Sequence, residues 1–511
     1  MKYGCSSFVK AIHGRDTAFF FFNSGLSNRP FKETVGGIKH MNEQANRYLS
    51  EEPVGSLMLK FSIPCIMSLL VSALYNIVDQ IFIGRGVGYL GNGATNVVFP
   101  VTIVALAIAL LVGDGCAAFL SICQGMRDGE RAHRSVGNAV TVIVAAGLIL
   151  TVLLAVFQDK LLWAFGATKN NIGYAREYFR YIVMGIPFFM FANAMNSVIR
   201  ADGSPAFAML STLIGCAINV VLDPIAIFVL HWGMAGAALA TVAGQLVSAL
   251  LAAGYLFRTK SFRLKRSSFR PDGELLRRTM PLGISSLLTQ VSIVVIMVVM
   301  NNVLVIYGAR SRYGADIPLT VVGIVMKVFQ IVVSIVVGIA AGSQPIVGYN
   351  YGAGRHDRVR RIFTVMMTAE ACVGLIAMIC FECFPLTIIR IFGSENGLYN
   401  EFAVISFRLF LCTIALCCVQ KACSIFLQSL GKPMLSMSLS LLRDFILSVP
   451  LALILPRYLG VTGTLYSGPI ADVVSFAVAV FCVRRVFREL KKEETGDGRT
   501  AVSEDRVRCI S

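Results

Sequence analysis

Residues 61–84 read FSIPCIMSLLVSALYNIVDQIFIG, an apolar run whose one charge is Asp79. The run has the ~20 residues a helix needs to cross a bilayer core, and it does not alternate as a barrel strand would. Open backbone cannot be satisfied in lipid, so it reads as a membrane-spanning helix. The rest of the chain agrees. Of 511 residues, 56% are hydrophobic and only 15% charged, with mean hydropathy +0.71, whereas soluble domains carry about 25% charged residues. About twelve such runs follow one another. In the first half they lie near 61–84, 94–117, 136–157, 178–198, 207–230 and 234–257. In the second they lie near 281–306, 317–341, 362–384, 402–425, 434–455 and 461–484. The expected fold is an all-α integral membrane protein of twelve transmembrane helices.

A net charge of +17 would suggest nucleic acid, but its distribution points to topology. Basic residues gather in the connections that an even-numbered topology puts on one side. They include Arg258 to Arg278 between the sixth and seventh spans, Arg355 to Arg361 after the eighth, and Arg484 to Lys492 after the last. The opposite connections are sparse, as at His231-Trp232-Gly233. The positive-inside rule therefore places both termini in the cytoplasm and leaves no role for nucleic acid. Most of the fourteen cysteines, such as Cys65, Cys116 and Cys216, lie inside apolar runs as small hydrophobes. The close pair Cys380/Cys383 reads as helix packing rather than a redox or zinc site. Residues 1–40 hold no spanning run and no signal-peptide core, so either translation starts at Met41 or this segment is disordered.

The spans fall into two tandem units. Leu59-Lys60-Phe61-Ser62-Ile63-Pro64 is echoed by Leu276-Arg277-Arg278-Thr279-Met280-Pro281. Arg200-Ala201-Asp202-Gly203-Ser204-Pro205 is echoed by Gln428-Ser429-Leu430-Gly431-Lys432-Pro433, and Asp223-Pro224 by Val449-Pro450. Six spans per unit is even, so the units share one orientation and relate by an axis along the membrane normal, as in parallel-repeat transporters. The expected organisation is an N-terminal extension over 1–55, a six-helix lobe over 56–257, a basic linker over 258–280, a second lobe over 281–485 and a tail over 486–511.

Charges inside spans are expensive, about 2.5–3.5 kcal/mol at a helix centre on the mildest scale. Counting inward from the ends of the first, fifth and sixth spans, Asp79, Asp223 and Thr241 reach a similar depth. Asn219 lies one turn from Asp223, and Tyr75 one turn from Asp79. Pro224 removes a helical hydrogen bond and frees the carbonyl of Val220. Such oxygen ligands suit a hard cation or a proton. The bland reading is hydrogen bonding between helices, worth about 0.6–2 kcal/mol, but two acids with Asn219 and Thr241 at matched depth favour a site. The second unit carries Lys327, Glu370, Arg443, Asp444 and Asp472 within its spans, and its counterparts of Asp79 and Asp223 are apolar. This mixed-sign set either neutralises itself or, through Lys327 and Asp444, lines a central cavity.

Leu74-Tyr75-Asn76-Ile77-Val78-Asp79-Gln80-Ile81-Phe82-Ile83-Gly84 resembles the first-helix signature of multidrug and toxic compound extrusion (MATE) transporters. Ile199 to Pro205, Asn219 to Pro224 and Gly348-Tyr349-Asn350-Tyr351-Gly352-Ala353-Gly354 resemble further motifs of that family, over roughly 55–485. The resemblance implies two six-helix bundles related by a pseudo-two-fold axis along the membrane normal. It implies a monomer of the plasma membrane, without a cofactor, that exports cationic or amphipathic small molecules against Na⁺ or H⁺. In the branch whose ion site lies in the N-terminal lobe, Asp79, Asn219, Asp223 and Thr241 would carry the ion, with Tyr178 and Asn196 in the same network. Another branch keeps acids in the seventh and tenth helices; here the seventh span holds only Gln290, which speaks for the first-lobe site. The alternatives are a lipid-linked precursor flippase of the same superfamily, an intramembrane enzyme and an ion channel. No His-Glu-x-x-His motif, no nucleotide loop and no filter loop supports the last two.

Overall fold

The computed structural model describes residues 49–494 except 166, 168, 170, 315 and 393–396. The expectation about a start at Met41 or disorder over 1–40, and most of the 486–511 tail, lie outside these residues. Every regular element is helical. The first half comprises α1 (Val54–Gly86), α2 (Tyr89–Gly125), α3 (Gly129–Val156), the short α4 (Gln158–Ala164), α5 (Ile172–Ala201), α6 (Pro205–Pro224) and α7 (Gly233–Leu256). The second comprises α8 (Gly273–Gly308), α9 (Asp316–Gly352), α10 (His356–Cys383), α11 (Pro385–Phe392), α12 (Gly397–Phe410), α13 (Ile414–Ser429), α14 (Pro433–Leu441), α15 (Val449–Leu459) and α16 (Val461–Glu494). Among the described residues, ten spans are long and apolar enough to cross a membrane, and eleven if α12 and α13, bent by 45°, form one.

Wide-turn helical segments follow α6 at Ile225–Val229 and α14 at Leu442–Ser448, beside Pro224 and Pro450. A proline supplies no N–H and strains the ladder around it, and π-type turns are one way a helix absorbs that. Two further turns match between the halves. Gly203 and Gly431 take φ of +83° and +71°, and each precedes a helix opened by proline, Pro205 or Pro433. Glycine is suited there because a side chain would be strained at positive φ. In both turns the residue after glycine bonds back to the helix, Ser204 N–H to Ile199 O and Lys432 N–H to Leu427 O.

Packing divides the buried side chains into one large cluster in the first half and two in the second, with an exchange at the boundary. Leu49, Val54, Leu57, Met58 and Phe61 pack with second-half residues such as Ile346, Ile362 and Phe426. Leu275 and Leu282, at the start of α8, pack with the first half. Further along α1, Ile83 belongs to the first-half cluster. Pro64, inside α1, therefore lies between a stretch packed on one half and a stretch packed on the other.

The halves meet along α2–α8, α2–α9 and α1–α9, near the helix ends that carry the basic connections. Backbones approach closely because glycines leave room. A β-carbon on Gly342 would sit 2.7 Å from Ser62 Cα, one on Gly338 2.8 Å from Ile66 Cα, and one on Gly115 2.5 Å from Thr279 O. Gly125 and Gly352 face each other in the same way, and Gly283 abuts the Leu111 carbonyl. The basic linker belongs structurally to the first half. Asp202 accepts from the backbone N–H groups of Lys260 (2.8 Å) and Ser261 (2.9 Å) and from Tyr255 Oη (2.7 Å), and Gln124 Nε2 donates to Ser261 Oγ at 2.7 Å.

Candidate functional site

In the first half, α1 carries Asp79, α6 carries Asn219 and Asp223, and α7 carries Thr241. The close fit of these helices comes from small residues: a β-carbon on Gly244 would press on the Gly215 carbonyl, and one on Gly215 would lie 2.8 Å from Gly244 O. α6 and α7 thus approach near van der Waals limits one turn from Asn219. Asp223 is wholly buried, Asn219 nearly so, and Asp79 is 8% exposed.

Asn219 is the hub. Its Nδ2 donates to Asp223 Oδ1 and to Thr241 Oγ1, each at 3.2 Å. Asp79 on α1 and Tyr178 on α5 stand close enough to this group to interact with it electrostatically. Tyr75, one turn before Asp79, borders both acids. Three buried oxygens, Asp79 Oδ1, Asp223 Oδ2 and Asn219 Oδ1, have no donor among the described residues. Buried acceptors without partners cost about 1–3 kcal/mol each, more when charged, and two adjacent carboxylates repel strongly in a medium of low dielectric. A bound monovalent cation or a proton relieves both costs. The donor set is all oxygen, which fits Na⁺ and gives no soft ligand for a transition metal.

Four expected positions thus converge, Asp79, Asn219, Asp223 and Thr241, and Tyr75 and Tyr178 join them. Asn196 does not. Its Nδ2 donates to Thr212 Oγ1 at 3.2 Å, about three turns along α6 from Asp223. It lies near the opposite end of α5 from Tyr178, at a different depth from the cluster.

The second-half set separates into pieces. Arg443 joins both acids, with Nη1 2.7 Å from Asp444 Oδ1 and Nε 2.8 Å from Asp472 Oδ1. Thr413 Oγ1 donates to Asp472 Oδ2 at 3.0 Å. Internal pairing describes these three, with one carboxylate charge in excess. They border a cleft with apolar walls including Ile293, Phe329 and Phe410, and with Lys421 beside them. Asp444 lines this second-half cleft, and Lys327 is exposed on α9 and Gln290 half-buried on α8, neither among the cleft's lining residues. Glu370 stands apart, fully buried with neither carboxyl oxygen partnered among the described residues. Cys380 and Cys383 are exposed free thiols on α10 rather than packed ones, and no cluster of His, Cys, Asp or Glu suited to a metal occurs among the described residues.

A polar group that sequence reasoning passed over is Asp114, near the end of the second apolar run. It accepts from Ser197 Oγ at 2.7 Å and from Ser286 Oγ at 2.8 Å, with Arg200 Nη2 3.8 Å away. The signal was present, since an acid within an apolar run is the same clue that singled out Asp79.

The MatE family model matches residues 64–225 and 283–454, one copy in each half. The chain belongs to the MatE family. Among curated relatives it is similar to "Multidrug export protein MepA" of Staphylococcus haemolyticus, 24% identical over 452 residues that cover 87% of this chain and 96% of that protein. The protein of the same name from Staphylococcus aureus is 23% identical over 448 residues, with the same coverage. Among solved structures, one described as the outward-facing conformation of a multidrug resistance MATE family transporter superposes with a TM-score of 0.81 at 24% identity, covering 87% of this chain and 98% of that one. A MATE structure in the bent conformation gives 0.81 as well, at 24% identity over 88% and 99%. The MatE chain described here is thus an integral membrane protein with the MATE fold, and its family points to transport rather than enzymatic catalysis.

Proposed function

We propose that this chain is a secondary active exporter that moves amphipathic or cationic small molecules out of the cell in exchange for Na⁺ or H⁺. The observation that carries this reading is the buried oxygen cluster of Asp79, Asn219, Asp223 and Thr241, three of whose oxygens lack partners. The names of the MepA relatives support the substrate class.

In this reading the fold is twelve helices in two six-helix bundles, 56–257 and 281–485, related by a pseudo-two-fold axis along the membrane normal. The bent pair α12–α13 counts as one span and α16 is the last. The basic ends and both termini face the cytoplasm of a plasma-membrane protein that works as a monomer without a cofactor. The close approaches of the halves lie toward the basic ends, so the present arrangement corresponds to the outward-open state, and alternating access requires that seam to part.

The coupling ion enters among Asp79, Asn219, Asp223 and Thr241 from outside. It supplies the positive charge the two carboxylates lack. Their field then no longer holds a cationic substrate, which leaves to the outside. Linkage demands the converse, that bound substrate weakens ion binding by the same factor. Lipid-linked precursor transport is the second reading. It rests on cationic residues in the cavity, but Arg443 is already neutralised by two carboxylates, which favours drug efflux.

The test is efflux of a fluorescent organic cation from proteoliposomes under imposed Na⁺ or pH gradients. Wild type is expected to respond to one gradient and Asp223→Asn to lose that response. Full gradient-driven efflux by Asp223→Asn would overturn the assignment of the site, and the gradient that works identifies the ion.

A further inference from the structure

The ion cluster lies entirely in the first half, yet transport requires the two halves to move against one another. Asp114 connects them. On α2, its Oδ1 accepts from Ser197 Oγ at 2.7 Å and faces Arg200 Nη2 at 3.8 Å, both groups coming from α5 of the same half. Arg200 Nη2 also donates to Ser197 Oγ at 2.8 Å, which fixes the hydroxyl that holds Asp114. The other oxygen, Oδ2, accepts from Ser286 Oγ at 2.8 Å, on α8 of the second half. Ser286 is steadied in turn by Gln428 of α13, whose Nε2 donates to it at 3.3 Å and to Leu282 O at 2.7 Å. One carboxylate therefore commits one oxygen to each half.

Its place in the seam matters. The neighbouring residue, Gly115, packs its backbone onto Thr279 O and Gly283, and Gly283 onto Leu111. The Asp114 and Arg200 side chains keep 17% and 20% exposure, so they border open space rather than lying within a sealed core. Backbone packing between glycines is non-directional and can slide. A hydrogen bond to a carboxylate is directional and is stronger than a neutral one. Any motion that opens the basic ends separates α2 from α8 and breaks Ser286–Asp114, while Ser197 and Arg200 travel with Asp114 and keep its charge compensated. The broken state is thus affordable, which is what a reversible latch needs.

We propose that Asp114 and Ser286 are positioning residues that latch the basic side of the seam shut and set the resting ratio of the two access states. The inference rests on the alternating-access reading above. Hydrogen bonds inside membrane proteins change equilibria by about three- to twentyfold, and that is the shift expected on removing this one.

The experiment uses the full chain in proteoliposomes, with accessible cysteines replaced and spin labels at Glu130→Cys and Asp357→Cys. These are exposed positions near the basic ends of the two halves. Pulsed dipolar distances report the opening of the basic side. Ser286→Ala is expected to enrich the longer distance about three- to twentyfold, and Ser286→Thr, which keeps the hydroxyl, to retain the wild-type distribution. The latch is overturned if wild type lengthens under an ion gradient but Ser286→Ala matches it at rest, or if Ser286→Thr shifts as far as Ser286→Ala. A distance that lengthens in no variant and under no gradient overturns alternating access itself, and the latch with it.

Discussion

Asn219 shows how much one side chain can organise. Its amide nitrogen spans Asp223 and Thr241 while its oxygen is left without a donor, so it both spaces the site and offers a ligand. Asn219→Ala removes the ligand and the spacer but leaves both carboxylates. We expect apparent affinity for the coupling ion to fall by about 1–3 kcal/mol, read as a rightward shift in the Na⁺ or H⁺ dependence of efflux with little change in expression. An unchanged dependence would remove Asn219 from the site. The residues of this cluster were legible because polar groups in apolar runs are conspicuous and because spacing along a helix gives depth. Depth does not give direction around the helix. Asn196, expected in the cluster from the family resemblance, lies about five turns along α5 from Tyr178 and meets Thr212 instead. Asp114 itself carried the same clue as Asp79, but its link to Ser286, 172 positions away, has no local pattern to announce it.

At the scale of elements, hydropathy located the spans but cut several short. α2 continues to Gly125 and α9 to Gly352, well past the apolar runs that announced them. The extra turns are rich in small and polar residues because they face the other half rather than lipid. Steric room there is the functional variable. Gly283 has no space for a β-carbon against the Leu111 carbonyl, and overpacking of this kind costs about 1–3 kcal/mol. Gly283→Ala should therefore weaken closure of the seam, seen as faster labelling of a cysteine introduced at Ser62, which now packs under Gly342. Labelling no faster than with glycine at 283 would show that the seam yields elsewhere. The 45° bend between α12 and α13 had no proline or glycine to announce it. It falls at Leu411–Thr413, where Thr413 turns its hydroxyl to Asp472. The π-type turns beside Pro224 and Pro450 were half-legible, since proline marks a weakened ladder but not the form it takes.

Across the whole molecule, the sequence reads as two tandem units, and the turns at Gly203 and Gly431 share a positive φ. The exchange between the units was not readable, because it depends on which neighbour an apolar face meets. The segment ahead of α1 is held by the second half: Asn350 Nδ2 donates to Leu49 O at 3.1 Å, Arg355 Nη1 to Ser50 O at 2.7 Å, and Arg358 to the carbonyls of Leu49 and Glu52. Replacing both arginines by alanine leaves those carbonyls with weaker partners, about 1–3 kcal/mol in total. Hydrogen exchange over residues 53–58 should accelerate accordingly, with exchange in α7 unchanged. Equal protection in both proteins would show that the apolar contacts of Leu57 and Phe61 suffice.

That exchange also bears on biosynthesis. The carbonyl of Leu49 waits for an amide 301 residues later in the chain. At about 5–20 residues per second, ribosomes take roughly 15–60 s to cover that distance. Through that interval the opening turns of α1 have no permanent neighbours, and lipid or the insertion machinery must shelter them. Neither half completes its core until the other exists, so the nascent chain commits to its final form late, when α8 to α13 have entered the bilayer.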